Sequence, residues 1–246
     1  RSCLVLPESK VLTRQFSGLV PADRIYDLPT AITEDFYRRF EGVHRSRSGN
    51  ELTVLFVGHL TQAKGYCDVL KTIPELAARF NVRFRFMGVH QRVERNVFFN
   101  QATGQRIDSE NPEVCLERFV TRRGLSERVE FLGDRVYGEA KQRTFENADI
   151  FVLPSYSEGF SRAMLEAMAT GNAVIATDVG ADAEALRGAG IVVDLKMLEE
   201  QLPLALRTLI EYPDFRRDLA ERARQRVVEQ YSLETNIDRV VRLYQE

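Results

Sequence analysis

From Asn50 onward the chain alternates between short, almost wholly apolar runs and stretches whose apolar residues recur at helical spacing. A strand with no polar face must be covered on both sides, a condition met by a parallel sheet flanked by helices. Leu52–Val57 is the first such run, followed by residues 82–88, 129–132, Ile150–Leu153, Ala173–Thr177 and Ile191–Val193. Between the first two, Val69, Leu70, Ile73, Leu76, Ala77 and Phe80 mark one face of a helix over 66–80, which Pro74 is expected to kink or split. Asn111 and Pro112 are a capping residue and a first-turn proline, so a helix starts there and runs to residue 123, closed by Gly124. Helices over 139–145 and Arg162–Ala169 complete the pattern. The fold class is therefore α/β, a doubly wound parallel sheet. Such sheets bind ligands at the carboxyl ends of their strands.

Two of those strand ends carry chemistry. Leu52–Val57 is followed by the loop Gly58-His59-Leu60-Thr61-Gln62-Ala63-Lys64-Gly65. Ile150–Leu153 stops at Pro154, and the next loop carries Glu158, Gly159, Phe160 and Ser161 to a helix that holds Arg162 and Glu166 and closes at Gly171. The N–H groups of Gly159, Phe160 and Ser161 lie at the helix mouth, where an anion is favoured. Ionised carboxylates accept hydroxyl groups, so an anion site between two of them suits a sugar joined to a nucleoside diphosphate. Each feature alone has a plainer reading. Acidic residues near a helix start favour the macrodipole without any ligand, and Lys64 or Arg162 alone reads as a solvated cation.

Taken together, residues 149–180 resemble the retaining, nucleotide-sugar-dependent group 1 glycosyltransferases of GT-B architecture, family 4. Their Glu-x7-Glu signature is matched by Glu158 and Glu166. The resemblance runs from Asn50 to the C-terminus. It includes the 57–65 loop, Arg128-Val129-Glu130-Phe131-Leu132-Gly133, and Thr177-Asp178-Val179-Gly180 followed by Glu184. It implies a Rossmann-like domain, one half of a two-domain enzyme, that transfers a sugar from a UDP- or GDP-linked donor with retention at the anomeric carbon. In its terms Lys64 stabilises the diphosphate, Glu158 addresses the donor sugar, and Glu166 accepts from the ribose hydroxyls. His59, Gly159, Phe160, Ser161 and Arg162 complete the donor site, with Lys64 and Glu158 as the expected catalytic residues. The nucleobase would lie near Phe131, Leu132 and Gly133, although Phe131 reads equally well as ordinary core. The resemblance implies no resident cofactor, and no Asp-x-Asp pair beside these loops calls for a metal.

The chain also departs from the family. His59 stands where arginine is usual, and histidine keeps no permanent charge near neutral pH. Ser161 replaces a frequent glycine, Ala181 and Ala183 replace a second glycine and a proline, and Thr30-Ala31 replaces an asparagine–glycine pair.

By the same resemblance, residues 1–32 are the end of an N-terminal acceptor domain and 33–49 the interdomain linker. Residues 50–231 are then the nucleotide-sugar-binding domain, and 232–246 a helix crossing back, with Ile237, Val240, Val241 and Tyr244 on one face. A first residue of arginine is expected of a piece of a longer chain. The 89–110 segment is long and polar, and is expected to be an acceptor-facing lid or a solvated insertion, with Arg92, Arg95 and Arg106 as its cations.

A net charge of −2 implies no nucleic-acid partner. Cys3, Cys67 and Cys115 are scattered, without metal-ligand spacing to His44, His59 or His90, and read as incidental thiols of a cytoplasmic protein. The expected partners are the nucleotide-sugar donor, a sugar, lipid or glycoconjugate acceptor, the N-terminal domain, and a peripheral membrane contact. A nicotinamide dehydrogenase would need Gly-x-Gly-x-x-Gly where 58–63 has only its first glycine. Two alternatives stay open: a non-catalytic nucleotide-sugar-binding domain and a GT-B-like nucleotide-sugar epimerase.

Overall fold

A computed structural model describes residues 4–33, 36, 51–89, 97–101, 103–108, 111–134 and 138–245. Its strands are β1 (Leu52–Val57), β2 (Val82–Met87), β3 (Val97–Phe99), β4 (Arg106–Asp108), β5 (Val129–Gly133), β6 (Ile150–Leu153), β7 (Ala173–Thr177) and β8 (Ile191–Val193). Its helices are α1 (Lys10–Phe16), α2 (Tyr66–Arg79), α3 (Pro112–Phe119), α4 (Gly138–Glu146), α5 (Arg162–Ala169), α6 (Asp182–Leu186), α7 (Leu198–Glu211), α8 (Pro213–Gln230) and α9 (Leu233–Gln245).

Six strands form one parallel sheet in the order β5-β2-β1-β6-β7-β8. The chain starts in the middle, moves outward through β2 to β5, then returns to lay β6 against β1 and moves out the other way. This Rossmann-like order reverses direction between β1 and β6, whose register pairs Val54 with Ile150 and Leu55 with Phe151. The loops leaving β1 and β6 are neighbours for that reason alone.

The apolar runs are buried as their composition requires. Val54, Leu55, Phe56 and all of β6 lie in the core. Phe56, Tyr66 and Phe86 make an aromatic cluster where α2 covers the sheet, with Tyr66 and Phe86 edge to face at 5.2 Å. In β2 the alternation of Arg83 and Arg85 with buried Val82, Phe84 and Phe86 places the arginines on the less covered face, where Arg85 pairs with Glu130 at 2.9 Å.

Several expectations need correction. The helix at Pro74 is neither split nor ended: α2 runs through it to Arg79, held by buried Val69, Leu70, Ile73 and Leu76. The Asn111 cap is real, its side chain accepting from the Glu113 N–H, but α3 stops at Phe119. A separate 3₁₀ turn, Thr121–Arg123, follows and closes at left-handed Gly124. Near the N-terminus a single parallel bridge joins Val5 to Ile25, and Cys3 lies outside the described residues. Cys67 and Cys115 are buried and unlinked.

The described part of 89–110 contains an antiparallel pair, β3 with β4, while Arg92 and Arg95 lie outside the described residues. Most of 33–49 lies outside them as well. Residues 29–32 run to the start of α9. Ile32 N donates to Tyr231 O at 2.8 Å, Leu233 N to Ile32 O at 2.9 Å, and Asn236 Nδ2 to Pro29 O. The apolar residues of α9 do not share one covered face. Val240 and Leu243 line a groove with Leu6, Ile25 and Leu28, whereas Leu233, Ile237, Val241 and Tyr244 are exposed. Among the described residues no helix is long and apolar enough to cross a membrane.

The two loops meet at Gly65, which has φ +72° and directly abuts the end of β6; a Cβ there would lie 2.1 Å from Pro154 O. Gly65→Ala is expected to lower stability by at least about 2 kcal/mol, from left-handed strain plus backbone displacement. Urea unfolding of both chains measures it.

Candidate functional site

Main-chain contacts set the site before any side chain does. Tyr156 N donates to Ala63 O at 2.9 Å, joining the loop after β6 to the turn after β1. Gly180, with φ +58°, lies on the main chain of the same loop, since a Cβ there would stand 2.3 Å from Glu158 O and 2.6 Å from Gly159 O. Beneath these contacts is a buried polar cluster. Gln62 Nε2 donates to Asp68 Oδ2 at 2.9 Å, and the Tyr156 hydroxyl donates to the same oxygen at 3.0 Å. Burial pushes the Asp68 carboxyl up, opposed by Lys71, Tyr156 and Gln62. The β3–β4 insertion touches this assembly through Gln101 N, 3.3 Å from Tyr156 O.

Fixed in this way, Lys64 Nζ lies 2.6 Å from Glu158 Oε1, which also accepts from Ser155 Oγ at 2.7 Å. Ser155 is itself held, its carbonyl accepting from Thr177 Oγ1 at 2.5 Å. Lys64, Glu158, His59, Phe160, Ser161 and Arg162 all line one crevice of about 330 Å³ at the β1/β6 switch point, together with Ala163 and Asp134. The pattern-based expectation of a site at these two loops therefore corresponds to one physical cavity.

The helix mouth differs in detail from the expectation. Ser161 is the N-cap of α5, its hydroxyl accepting from Met164 N, and its own N–H donates to Asp182 Oδ1 at 2.8 Å. That amide is thus committed. First-turn N–H groups have no carbonyl four residues back, and the first two helical residues, Arg162 and Ala163, line the crevice.

Glu166 lies one turn deeper on α5. It is buried, its Oε1 accepts from Lys141 Nζ of α4 at 2.7 Å, and its Oε2 is enclosed with no hydrogen-bond partner among the described residues. Burial raises its pKa, against the lowering effect of Lys141 and Arg162. The expected nucleobase residues stand outside the crevice lining. Phe131 is 42% exposed and stacks on Phe86 at 5.5 Å, Leu132 packs on the core, and Gly133 O accepts from Gly88 N at 3.0 Å. Their neighbour Asp134 is the lining residue.

Asp182 and Lys141 went unnoticed in the sequence. Asp182 sits two residues past Gly180, a position whose significance comes only from the packing of that glycine. Nothing in the local pattern around Lys141 points to α5. Among the described residues no three His, Cys, Asp or Glu side chains gather as a metal site.

A parallel-sheet domain with such a crevice at the switch point of its strand order has the architecture of α/β proteins that bind ligands at the carboxyl ends of their strands. The chain is a member of the group 1 glycosyl transferases, whose family model matches residues 41–226. It is 27% identical over 259 residues to an uncharacterized glycosyltransferase of Methanocaldococcus jannaschii, covering 99% of this chain and 60% of that protein. It is 34% identical over 120 residues to the lipopolysaccharide core biosynthesis mannosyltransferase LpsB of Rhizobium meliloti, covering 49% of this chain and 32% of LpsB. Its fold matches that of HepE from Anabaena in complex with UDP, with a TM-score of 0.75 at 20% identity over 98% of this chain and 63% of HepE. The chain thus spans three fifths or less of the length of the curated relatives named here.

Asp182 is 1% exposed, and burial, with the Glu158 charge adding to it, pushes its carboxyl up to about 7 despite the Ser161 N–H. A raised acid pKa means the fold holds the proton more tightly, so this residue costs stability progressively as pH rises from 4 to about 7. At about 1.4 kcal/mol per tenfold, the rise from 3.8 to about 7 caps that cost at about 4 kcal/mol. Asp182→Asn keeps an acceptor for Ser161 N and cannot ionise. Its stability relative to the natural chain should therefore increase between pH 4 and pH 8; urea unfolding at both pH values measures the difference.

Proposed function

We propose that this chain is the donor-binding part of a retaining, metal-independent GT-B glycosyltransferase of family 4, transferring a hexose from a UDP- or GDP-linked donor. The observation that carries this reading is the convergence, in one switch-point crevice of a group 1 family member, of Lys64, Glu158 and the first residues of α5, with Glu166 one helical turn below that lining. The diphosphate develops negative charge as the glycosidic bond breaks, and Lys64, the Arg162 and Ala163 amides and the Arg162 guanidinium are placed to stabilise it. His59, on the same wall, adds a hydrogen bond. Glu158 orients the donor sugar, and Glu166 takes a ribose hydroxyl. Neither acts as the acid or nucleophile of a glycosidase. The base lies toward Asp134 and the backbone of residues 131–133.

HepE has been solved with UDP and with UDP-glucose, and LpsB is named for mannosyl transfer in lipopolysaccharide core synthesis. Both support a nucleotide-sugar donor and a sugar, lipid or glycoconjugate acceptor for this chain. In this reading residues 1–32 end an N-terminal acceptor domain, 33–49 link it, 50–231 bind the donor, and 232–246 return to it. The protein works in the cytoplasm, where a peripheral membrane contact suits a lipid-linked acceptor.

Lys64→Ala should weaken UDP or GDP binding about 10- to 100-fold by calorimetry, the effect of losing one charge-assisted hydrogen bond. Glu166→Ala should weaken the nucleotide more than inorganic pyrophosphate. Unchanged affinities in both variants would remove the site. With its N-terminal domain, the enzyme should give product of retained anomeric configuration by NMR, and inversion would overturn the mechanism.

A further inference from the structure

Glu166 is held asymmetrically. One carboxylate oxygen is taken by Lys141 at 2.7 Å, and the other is buried with no hydrogen-bond partner among the described residues. The two residues come from different helices, α4 and α5, and both are largely enclosed, with side-chain exposures of 15% for Lys141 and 9% for Glu166. An enclosed carboxylate oxygen without a donor is costly. Glu166 is also one helical turn from Arg162 and Ala163, which line the crevice.

We propose that Lys141 is a specificity-determining positioning residue of the donor site, holding Glu166 ionised and turned so that its second oxygen accepts a hydroxyl of the nucleoside's ribose diol. This rests on the donor-site reading above and extends it to a residue outside the crevice lining. Lys141 does two things at once. Its charge opposes the effect of burial on the carboxyl, and its hydrogen bond occupies Oε1, which leaves Oε2 as the oxygen still lacking a donor among the described residues. A single acceptor selects for the presence of a ribose hydroxyl. The affected nucleotides are ribonucleotides as a class, whatever the base.

The charged groups around the carboxylate are few. Lys141 approaches from α4, and Arg162 lies on the same helix as Glu166. From α8, Arg224 is committed to Ala169 O at 2.9 Å, at the far end of α5. The neighbouring β6 and β7 strands present buried apolar side chains and Thr177. Without Lys141, the remaining cation near the carboxyl among the described residues is Arg162, and loss of the lysine's charge moves the pKa of the carboxyl further up. A carboxyl carrying its own proton is a weaker acceptor. Lys141→Met should therefore impair recognition of the ribose below the raised pKa and recover it above.

The test measures binding of UDP and GDP to the 246-residue chain by calorimetry from pH 6 to pH 9, together with the 2′,3′-dideoxy analogue of whichever nucleotide binds. The ratio of the two affinities isolates the ribose contact, because titration of phosphate or base affects both ligands alike. The natural chain should prefer the ribonucleotide about tenfold or more, as one hydrogen bond to a charged group implies. Lys141→Met should lose most of that preference, and lose more of it at pH 6 than at pH 9, while dideoxynucleotide affinity stays as in the natural chain. Lys141→Arg should keep the preference throughout. Adding Glu166→Gln to Lys141→Met should leave a ratio independent of pH. An equal loss for both nucleotides, an undiminished ratio or a pH-independent loss in Lys141→Met would overturn the role of Lys141 alone. A natural chain that binds neither UDP nor GDP would overturn the donor-site reading, and this proposal with it.

Discussion

Backbone lies against backbone where the loops leave the sheet, and the candidate site depends on that contact. Gly65 sits under Pro154 O, Gly180 under the carbonyls of Glu158 and Gly159, and Gly88 against Gly58, all without the room a side chain needs. Lys64 and Glu158 meet because these contacts bring their loops together. The ion pair is a consequence and a weak cause. With side chains 28% and 10% exposed, both groups lose hydration on pairing, and that loss offsets much of their attraction. Steric approach of the main chain decides the geometry.

Two enclosed carboxylates flank α5 and illustrate different solutions to the same difficulty. Glu166 has a cation brought from another helix. Asp182 has a backbone N–H and, nearby, the opposing influence of Glu158. A dipole stabilises a buried anion less than a full positive charge does, and the lower exposure of Asp182 widens the gap. The first turns of α5 consequently meet one carboxyl whose pKa is pushed up to about 7 and one balanced by lysine. The Ser161 amide is consumed by the first of these.

The sheet was legible because its strands have no polar face. Leu52–Val57, Ile150–Leu153, Ala173–Thr177 and Ile191–Val193 needed no other signal, and the Asn111-Pro112 start was legible from capping chemistry. Helix α8 was not. It buries only Leu219, Ala223 and Val227, one residue per turn, in an otherwise charged sequence. Pro74 misled because its local cost is small beside the buried face of α2. At the site, Lys64, Glu158 and Arg162 could be read from two loops once a parallel sheet was assumed. Lys141 and Asp182 could not, since they reach α5 from elements 25 and 21 positions away from the residues they touch. Adjacency of that kind belongs to tertiary packing. The ring of Phe131 stacks on Phe86 outside the crevice lining, an arrangement that depends on β2 in the same way.

Tyr156 is held from three directions: its N–H by Ala63, its hydroxyl by Asp68, and its carbonyl, more loosely, by Gln101 of the insertion. The turn after β1, the first turn of α2 and the loop after β6 are thereby one cooperative unit. Local opening of any of the three must break hydrogen bonds belonging to the other two, so the free energy of opening is shared and rises toward that of the sheet itself. The β3–β4 insertion meets that unit at Tyr156 O, 3.3 Å from Gln101 N, so its turn is anchored on the same residue that ties the loops together.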